Sequence, residues 1–224
     1  MAPRDSQVRA EVIETLASAI RAVSCPTFCR VAVDGVDGAG KTLLADELAS
    51  VLRRWGSPVV RVSVDDFHNP REVRYRRGRG SPEGFFRDSY DYEKFISLVL
   101  EPLSPEGSGI YTPAVHDVVS EVPVTPIKLQ APPGAILVVD GIFLHRDELL
   151  AFWDYSIWVD VAFEVSIPRG ALRGVGNADP RHPSNRRYVE GQRIYIRECA
   201  PAQRATLVLD NTVLDAPVIR AARD

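Results

Sequence analysis

Val31-Ala-Val-Asp-Gly35-Val-Asp-Gly-Ala-Gly40-Lys41-Thr42 decides the reading of this chain. The stretch contains G-x-x-x-x-G-K-T, a motif whose chemistry needs a strand before it and a helix after it. Both are legible. Cys29 to Asp34 is a short apolar run with β-branched residues, the pattern of a buried strand. Beyond Lys41 the apolar residues fall at Leu44, Leu48, Val51, Leu52 and Trp55, one face of a helix that Gly56 and Pro58 then stop. Between them, Gly35, Asp37, Gly38, Ala39 and Gly40 form a turn whose N–H groups can approach phosphate oxygens at the positive end of a helix. Lys41 is placed to reach the β- and γ-phosphates of a nucleoside triphosphate, and the Thr42 hydroxyl to ligate Mg²⁺. The chain has three lysines (Lys41, Lys94 and Lys128) against 24 arginines, and one of the three stands where the motif requires lysine. ATP and Mg²⁺ are the expected cofactors.

The 224 residues suit a single domain with a full core, and a hydrophobic fraction of 45% with 25% charged residues is ordinary for a globular protein. A net charge of −3 argues against a nucleic-acid partner bound by bulk electrostatics. No apolar run approaches the roughly 20 residues that span a bilayer, so no membrane partner is expected. Met1 to Arg9 is polar and charged, without the pattern of a secretory signal. Three cysteines make no disulfide framework; Cys25 and Cys29 lack a second pair and read as buried thiols, which points to a reducing, cytoplasmic setting.

Outward from the motif, Asp5 or Ser6 can cap a first helix whose inner face is Val8, Val12, Ile13, Leu16, Ala17, Ile20 and Val23. Val59 to Val64 is a second buried strand running into Asp65-Asp66-Phe67-His68. An acid at the carboxyl end of such a strand lies on the ligand edge of an α/β sheet, where Asp65 can accept the proton of an attacking hydroxyl. Residues 69–133 read as a substrate-side excursion. Its first part carries Arg71, Arg74, Arg76, Arg77 and Arg79 around Tyr75. That part is either a solvated loop or an arginine flap over an anionic site. A helix is expected from Tyr90 to Leu100, and Glu101 to Pro133, with seven prolines, reads as irregular with short extended pieces. Ala135 to Gly141 is the third strand; four apolar residues ending in Asp140 match the pattern of an acid that helps hold Mg²⁺. A short helix over Leu144–Phe152 and a fourth strand over Tyr155–Val161 follow. Glu164–Arg173 is helical, with Pro168 either in its first turn or kinking it. Residues 174–187 are polar, rich in breakers and carry Arg181, Arg186 and Arg187, the composition of a lid that closes over a phosphoryl-transfer site. A helix over Tyr188–Cys199, a fifth strand over Thr206–Asp210 and a short tail from Asn211 complete the chain.

These separated pieces resemble one family. From about Cys29 to Asn211 the chain is similar to the uridine kinase-like branch of P-loop kinases, which also contains phosphoribulokinase and one type of pantothenate kinase. Gly35–Thr42, Asp65-Asp-Phe67-His68, Val139-Asp140-Gly141 and Arg169-Gly-Ala-Leu-Arg173 carry the resemblance. It implies a P-loop NTPase fold: an α/β domain over 1–224 with a five-stranded parallel sheet flanked by helices, a lid at about 174–187 and a substrate-covering insertion at about 69–133. It implies Asp65 as catalytic base, with Phe67 and His68 beside the acceptor. Arg169 and Arg173 lie on the helix that leads into the lid, and Arg173 faces the triphosphate. Gln192, followed by Arg193, falls where uridine kinases place a nucleoside-binding glutamine. His116-Asp117 falls near the family's P-x-Y-D segment, with histidine in place of the tyrosine that contacts the base. Asp88-Ser-Tyr-Asp91 matches only the last four positions of the F-D-H-P-D-A-F-D segment, and the acid that binds ribose there is replaced by an apolar residue near Phe85.

The expected activity is ATP-dependent phosphorylation of a hydroxyl on a small molecule, first of all the 5′-OH of a pyrimidine nucleoside. Pantothenate, a sugar phosphate or another metabolite is the alternative acceptor. A catalytically weak ATP-binding or switch protein is the alternative from another class, although the chain contains neither the N-K-x-D of GTPases nor the L-S-G-G-Q of ABC-type ATPases. A homo-oligomer is compatible with this reading.

Overall fold

In the computed structural model, residues 3–174 and 176–220 are described. The sheet forms where the apolar runs lie. Strands β1 (Cys29–Gly35), β2 (Val59–Ser63), β3 (Ile136–Gly141), β4 (Tyr155–Asp160) and β5 (Leu207–Asp210) pair in parallel in the order β5-β4-β1-β3-β2. Every residue of β1 and β3 is buried, as expected of central strands covered on both faces. The register decides where the chemistry falls. Val33 of β1 lies beside Asp140 of β3, and Ser63 of β2 lies on the other side of Asp140. The carboxyl ends of three adjacent strands therefore finish on one edge, bringing Gly35, the turn after Ser63 and Asp140 together.

Among the described residues the five expected parallel strands are joined by a sixth. Strand β6 (Val218–Arg220) adds antiparallel to β5, with Val218 beside Asp210. The sequence shows only a tail there because all three residues are exposed and no apolar alternation marks them. Charge holds the strand instead: Arg220 pairs with Asp210 and lies 3.8 Å from Asp160. Residue 175 of the expected lid, and residues 221–224, lie outside the described range.

The helices flank this sheet. The first, α1 (Pro3–Ala22), starts before the expected caps and packs on α2 (Lys41–Arg54), where Arg9 forks onto Glu47. The segment expected to be a loop or arginine flap contains a short helix, Arg71–Arg74, and α3 (Pro82–Asp88). Ser81 caps α3 by accepting from Gly84 N at 3.0 Å, and Pro82 occupies its first turn. The helix α4 (Phe163–Leu172) contains Pro168 in its interior. The helix α5 (Arg186–Cys199) packs on α3 at Gly191, where a Cβ would meet Pro82 O and Phe85 Cδ1, each at 2.8 Å. Glycine is thus the residue that lets the two helices close. The expected helix from Tyr90 is Tyr92–Phe95 followed by a π-helical turn over Ile96–Leu100. Residues 101–133 form two small two-stranded pieces, Ile110–Tyr111 with Leu129–Gln130 and His116–Asp117 with Val122–Pro123.

All three cysteines are free. Cys25, Cys29 and Asp154 place ligand-type atoms within 4.8 Å of one another, but Arg30 engages both Asp154 oxygens, at 3.0 and 3.1 Å. No helix among the described residues is long and apolar enough to cross a membrane.

Phe67, a sequence candidate for substrate contact, belongs to the core. It is fully buried, and its ring meets Phe95 edge-on at 5.2 Å. Phe67→Ala is expected to lower the unfolding free energy by about 3–5 kcal/mol, read by urea denaturation, with Phe67→Leu costing clearly less. Equal effects of the two substitutions would contradict a packing role.

Candidate active site

One cavity of about 630 Å³ opens at the carboxyl edge of β1, β2 and β3, a volume within the usual range for small-molecule sites. Asp37, Gly38, Lys41 and Thr42 form its floor, Asp65, His68 and Tyr90 one wall, and Arg173 part of the opposite wall.

The floor is a tight loop for a steric reason. Gly38 has φ 75°, and a Cβ there would lie 2.0 Å from Ser166 O of α4. Only glycine allows α4 and the loop to approach so closely. Asn211 braces the loop from below: its Nδ2 donates to Ala39 O at 2.7 Å, and its own carbonyl accepts from Arg169 at 3.0 Å. Lys41 Nζ donates to Val36 O at 2.9 Å, which holds the ammonium over the loop.

Asp34, the last carboxylate of β1 before the loop, is fully buried. Its Oδ1 accepts from Gly35 N at 2.7 Å. Its Oδ2 accepts from Leu144 N at 3.1 Å, His145 N at 3.2 Å, His145 Nδ1 at 2.7 Å and the Tyr195 hydroxyl. The chain reaches His145 through Phe143, which has φ 67° and is held among the rings of Phe85, Phe86 and Tyr195 at 5.0–5.4 Å.

Two further acids shape the floor. Thr42 Oγ1 donates to Asp140 Oδ2 at 2.6 Å, and Arg61 donates to Asp140 Oδ1 at 3.0 Å. Asp65 sits in the 3₁₀ turn Val64–Phe67 that follows β2. Tyr90, buried, donates its hydroxyl to Asp65 Oδ1 at 2.7 Å. Burial first and the neighbouring Asp65 second hold the Tyr90 phenol well above its ordinary pKa, so it remains a donor. His68 Nδ1 lies 2.7 Å from Asp65 O. That carbonyl only accepts, so Nδ1 carries the proton, and burial lowers the pKa of the ring toward the neutral form. Burial, then the charges of Asp65 and Asp140, raise the pKa of Asp66.

Thr42 and Asp140 offer only hard oxygen donors, the kind Mg²⁺ takes, and their side chains already converge. Asp140 and Asp65 line one cavity, and a divalent cation would offset their charge. The residues present fit Mg²⁺.

The cavity gathers Asp37, Gly38, Lys41, Thr42, Asp65, His68, Asp140 and Arg173 from the sequence candidates. Other candidates lie elsewhere for identifiable reasons. Gly35 and Ala39 are buried under the loop, and Gly40 contacts Asn211. Tyr75 carries the guanidinium groups of Arg71, Arg74, Arg79 and Arg187 at 4.8–5.9 Å from its ring. Asp88 is 2% exposed and paired with Arg76 and Arg77. His116 is buried with Nε2 3.5 Å from Glu121, which also pairs with Arg74. Arg169 binds the carbonyls of Asn211 and Thr212, and exposed Arg193 pairs with Glu190. Gln192 is buried under the loop and bonded to Asp37 rather than facing the cavity: its Oε1 accepts from Asp37 N at 2.6 Å and its Nε2 donates to Asp37 Oδ2 at 3.1 Å. From the lid segment, Gly176 and Asn185 line the cavity. Asn185 also cross-braces the lid by donating to Asn177 O and Asp179 O. Arg187 turns away from the site to the carbonyls of Arg74 and Ser81, both at 3.0 Å.

The sequence reading missed Asp34, Arg61, Tyr90, His145, Tyr195 and Asn211. A strand-ending acid directly before the glycine loop was a usable signal for Asp34. The partners of Asp34, 110 and 161 residues away, left none.

The fold and the cavity together form an α/β architecture with a phosphate-binding-type glycine loop at the carboxyl edge of its sheet. No family model matches the chain. It is 24% identical to a uridine kinase from Leuconostoc citreum (strain KM20) over 148 residues, 65% of this chain and 68% of that protein. A structure described as a "possible uridine kinase" from Bacillus stearothermophilus superposes with TM-score 0.71 at 22% identity, over 88% of this chain and 97% of that one. A structure provisionally described as a fructose transport system kinase, from Silicibacter sp. TM1040, superposes with TM-score 0.63 at 21% identity, over 84% and 94%. In fold the chain resembles these kinase structures, and in sequence it is similar to the uridine kinase over about two thirds of its length.

Burial, ahead of the opposing pull of Lys41, raises the pKa of Asp37 above the ordinary 3.8. The native state therefore binds this proton more tightly than the unfolded chain. Stability falls as pH rises from the unfolded value through the native one. Asp37→Asn removes that loss. The variant is expected to be more stable than the parent at pH 7, with the gap closing as pH falls toward 4, in urea titrations across that range. A gap independent of pH would contradict the assignment.

Proposed function

We propose that the protein is an ATP- and Mg²⁺-dependent kinase that transfers a phosphoryl group to a hydroxyl of a small molecule, with the 5′-OH of a pyrimidine nucleoside as the leading acceptor. The observation that carries this reading is the meeting of Lys41, Thr42, Asp140 and Asp65 in one cavity, since the same space then holds a phosphate cradle and a free base. The resemblance of the chain to uridine kinases supports the nucleoside.

The loop amides and Lys41 bind the β- and γ-phosphates of ATP. Thr42 and Asp140 would hold Mg²⁺, which would neutralise charge on the phosphate oxygens. Asp65, fixed by Tyr90 through one oxygen, uses the other to orient the acceptor hydroxyl and take its proton. Arg173, from the end of α4, faces the transferring phosphoryl group. The lid around Gly176 and Asn185 excludes water. Transfer of this kind is dominated by positioning and electrostatics, so alignment of Asp65 matters more than its basicity.

A second acceptor class is favoured by one observation. The segment that resembles the ribose-binding part of uridine kinases presents Phe85 to the cavity, and its remaining acid, Asp88, is closed by two arginines. A non-nucleoside metabolite therefore stands as the alternative. An acceptor screen with ATP and Mg²⁺, read by mass spectrometry over uridine, cytidine, fructose, pantothenate and a pentose phosphate, separates the two. Activity on the last three without uridine or cytidine would reject the nucleoside.

Lys41→Ala is expected to abolish turnover and weaken ATP binding. Asp65→Ala is expected to cut kcat by about 10²–10⁴-fold while ATP binding, measured calorimetrically, stays within about threefold. Near-normal turnover of Asp65→Ala would remove it from the mechanism.

A further inference from the structure

We propose that Asp37 reads the acceptor: its unengaged carboxylate oxygen, aligned by Gln192, accepts a hydrogen bond from a second hydroxyl of the molecule whose first hydroxyl is offered to Asp65. The inference rests on the kinase reading above and assigns a specificity-determining role to a loop residue that phosphate binding leaves without a task.

Three carboxylates line the cavity, Asp37, Asp65 and Asp140. Asp140 has one oxygen on Thr42 and the other on Arg61. Asp65 has one oxygen on Tyr90 and keeps the other for the reacting hydroxyl. Asp37 has Oδ2 on Gln192 Nε2 at 3.1 Å, and among the described residues no protein donor reaches Oδ1. The side chain is half-buried and lines the cavity, so Oδ1 is open to a donor from a bound molecule.

Gln192 leaves Asp37 little freedom. It holds the backbone N–H of Asp37 at 2.6 Å as well as the carboxylate, and its Nε2 also donates to Tyr188 O at 3.0 Å. A buried amide bonded at both ends fixes the carboxylate as rigidly as a specificity contact needs.

The position of Asp37 selects the ligand chemistry. Asp37 lines the same cavity as Lys41 of the phosphate loop and Asp65 of the acceptor wall. A phosphate or carboxylate on the acceptor would face two acids there. A neutral hydroxyl would meet two acceptors. Phe85, Tyr90, Ile142 and Tyr188 supply an apolar wall for the rest of the molecule. The acceptor class is therefore an uncharged polyhydroxylated molecule with one apolar face. The two carboxylates stand in for the acid that the Phe85 segment lacks.

The test compares each hydroxylated acceptor with its mono-deoxy analogue. Uridine is run against 2′-deoxyuridine and 3′-deoxyuridine, and D-fructose against its mono-deoxy sugars, in the parent, Asp37→Ala, Asp37→Asn and Gln192→Ala. Two readouts are taken on each pair: kcat/KM with ATP and Mg²⁺, and the ligand-induced shift in Tm. In the parent, one pair is expected to differ by about 10- to 100-fold in kcat/KM, as for a hydrogen bond to a charged group. Asp37→Ala should bring that ratio to within about threefold while retaining turnover of the deoxy analogue. Asp37→Asn, which keeps the shape should the alanine variant not fold, should bring it below about tenfold. Gln192→Ala should shrink the ratio by lowering kcat/KM on the hydroxylated member more than on its deoxy analogue, a split that general destabilisation would not produce. Equal loss on both members of a pair in Asp37→Ala overturns the proposal. So does the absence of any pairwise difference in the parent by either readout. No phosphorylated product, combined with a pairwise Tm shift that vanishes in Asp37→Ala, would overturn the kinase reading and leave the role of Asp37 standing.

Discussion

The buried carboxylate of Asp34 is the constraint on which the site depends. An ion with no exposure is tolerated only when its lone pairs are filled, and here five donors fill them. Those donors come from three places: the first amide of the phosphate loop, the turn after β3, and α5. One charge therefore sets the entry angle of the loop, the path of the chain beyond Asp140 and the depth of α5. Removing the carboxylate would orphan buried N–H groups on all three. The left-handed Phe143 belongs to the same knot, since the turn that carries Leu144 and His145 to Asp34 is reached only through it. Strain of that kind persists only where packing over-determines it, and four aromatic rings do so here.

From this anchor α5 extends the ordering across the site. Tyr195 holds the loop at Asp34 and Gln192, one turn earlier, holds it at Asp37. Arg187, a further turn away, gathers the carbonyls of residues 74, 78, 79 and 81, so the acceptor-side segment hangs from the same helix. Gly191 brings that helix against α3. The phosphate side and the acceptor side are thus fixed to one rigid element rather than to each other. On the proposed reading, the site aligns a hydroxyl with a phosphoryl group and would gain from that arrangement, because errors in the two halves would not add through flexible loops.

What the sequence disclosed, and what it withheld, follows from the range of the interactions. Local ones were legible. The glycine loop, the five buried strands and the acids at their ends are each encoded within about ten residues, by periodicity and by turn chemistry. The parallel sheet follows from them. The edge strand β6 was hidden because charge pairing with β5, not burial, holds it. The helix α3 was hidden because its glycine resembled a breaker, although Ser81-Pro82 was a start signal within view. The arginines from 71 to 79 suggested a phosphate flap by composition. In the fold Glu121 and Asp88 neutralise three of them, and both partners lie at least eleven residues off. The same limit applies to Gln192. Its position in the chain matched a nucleoside-binding glutamine, but its role is set by Asp37, 155 residues away, and no local pattern records that distance.

Charge balance in the cavity gives the last step. Asp37, Asp65 and Asp140 line it, with Asp66 just behind, and the cations facing them are Lys41 and Arg173. Arg61 offsets Asp140 from the outer side of β2. Burial first, and repulsion from the neighbouring acids after it, make Asp37 and Asp66 hold their protons more tightly than usual. On the proposed reading, a triphosphate would add more negative charge to the same space and would enter with compensating cation charge, which Thr42 and Asp140 would hold. With Lys41 that charge would make a positive phosphate end, and Asp37 and Asp65 would make a negative end for groups that can give up or share a proton. That arrangement would rest on the strand register, which places Asp140 between Val33 and Ser63.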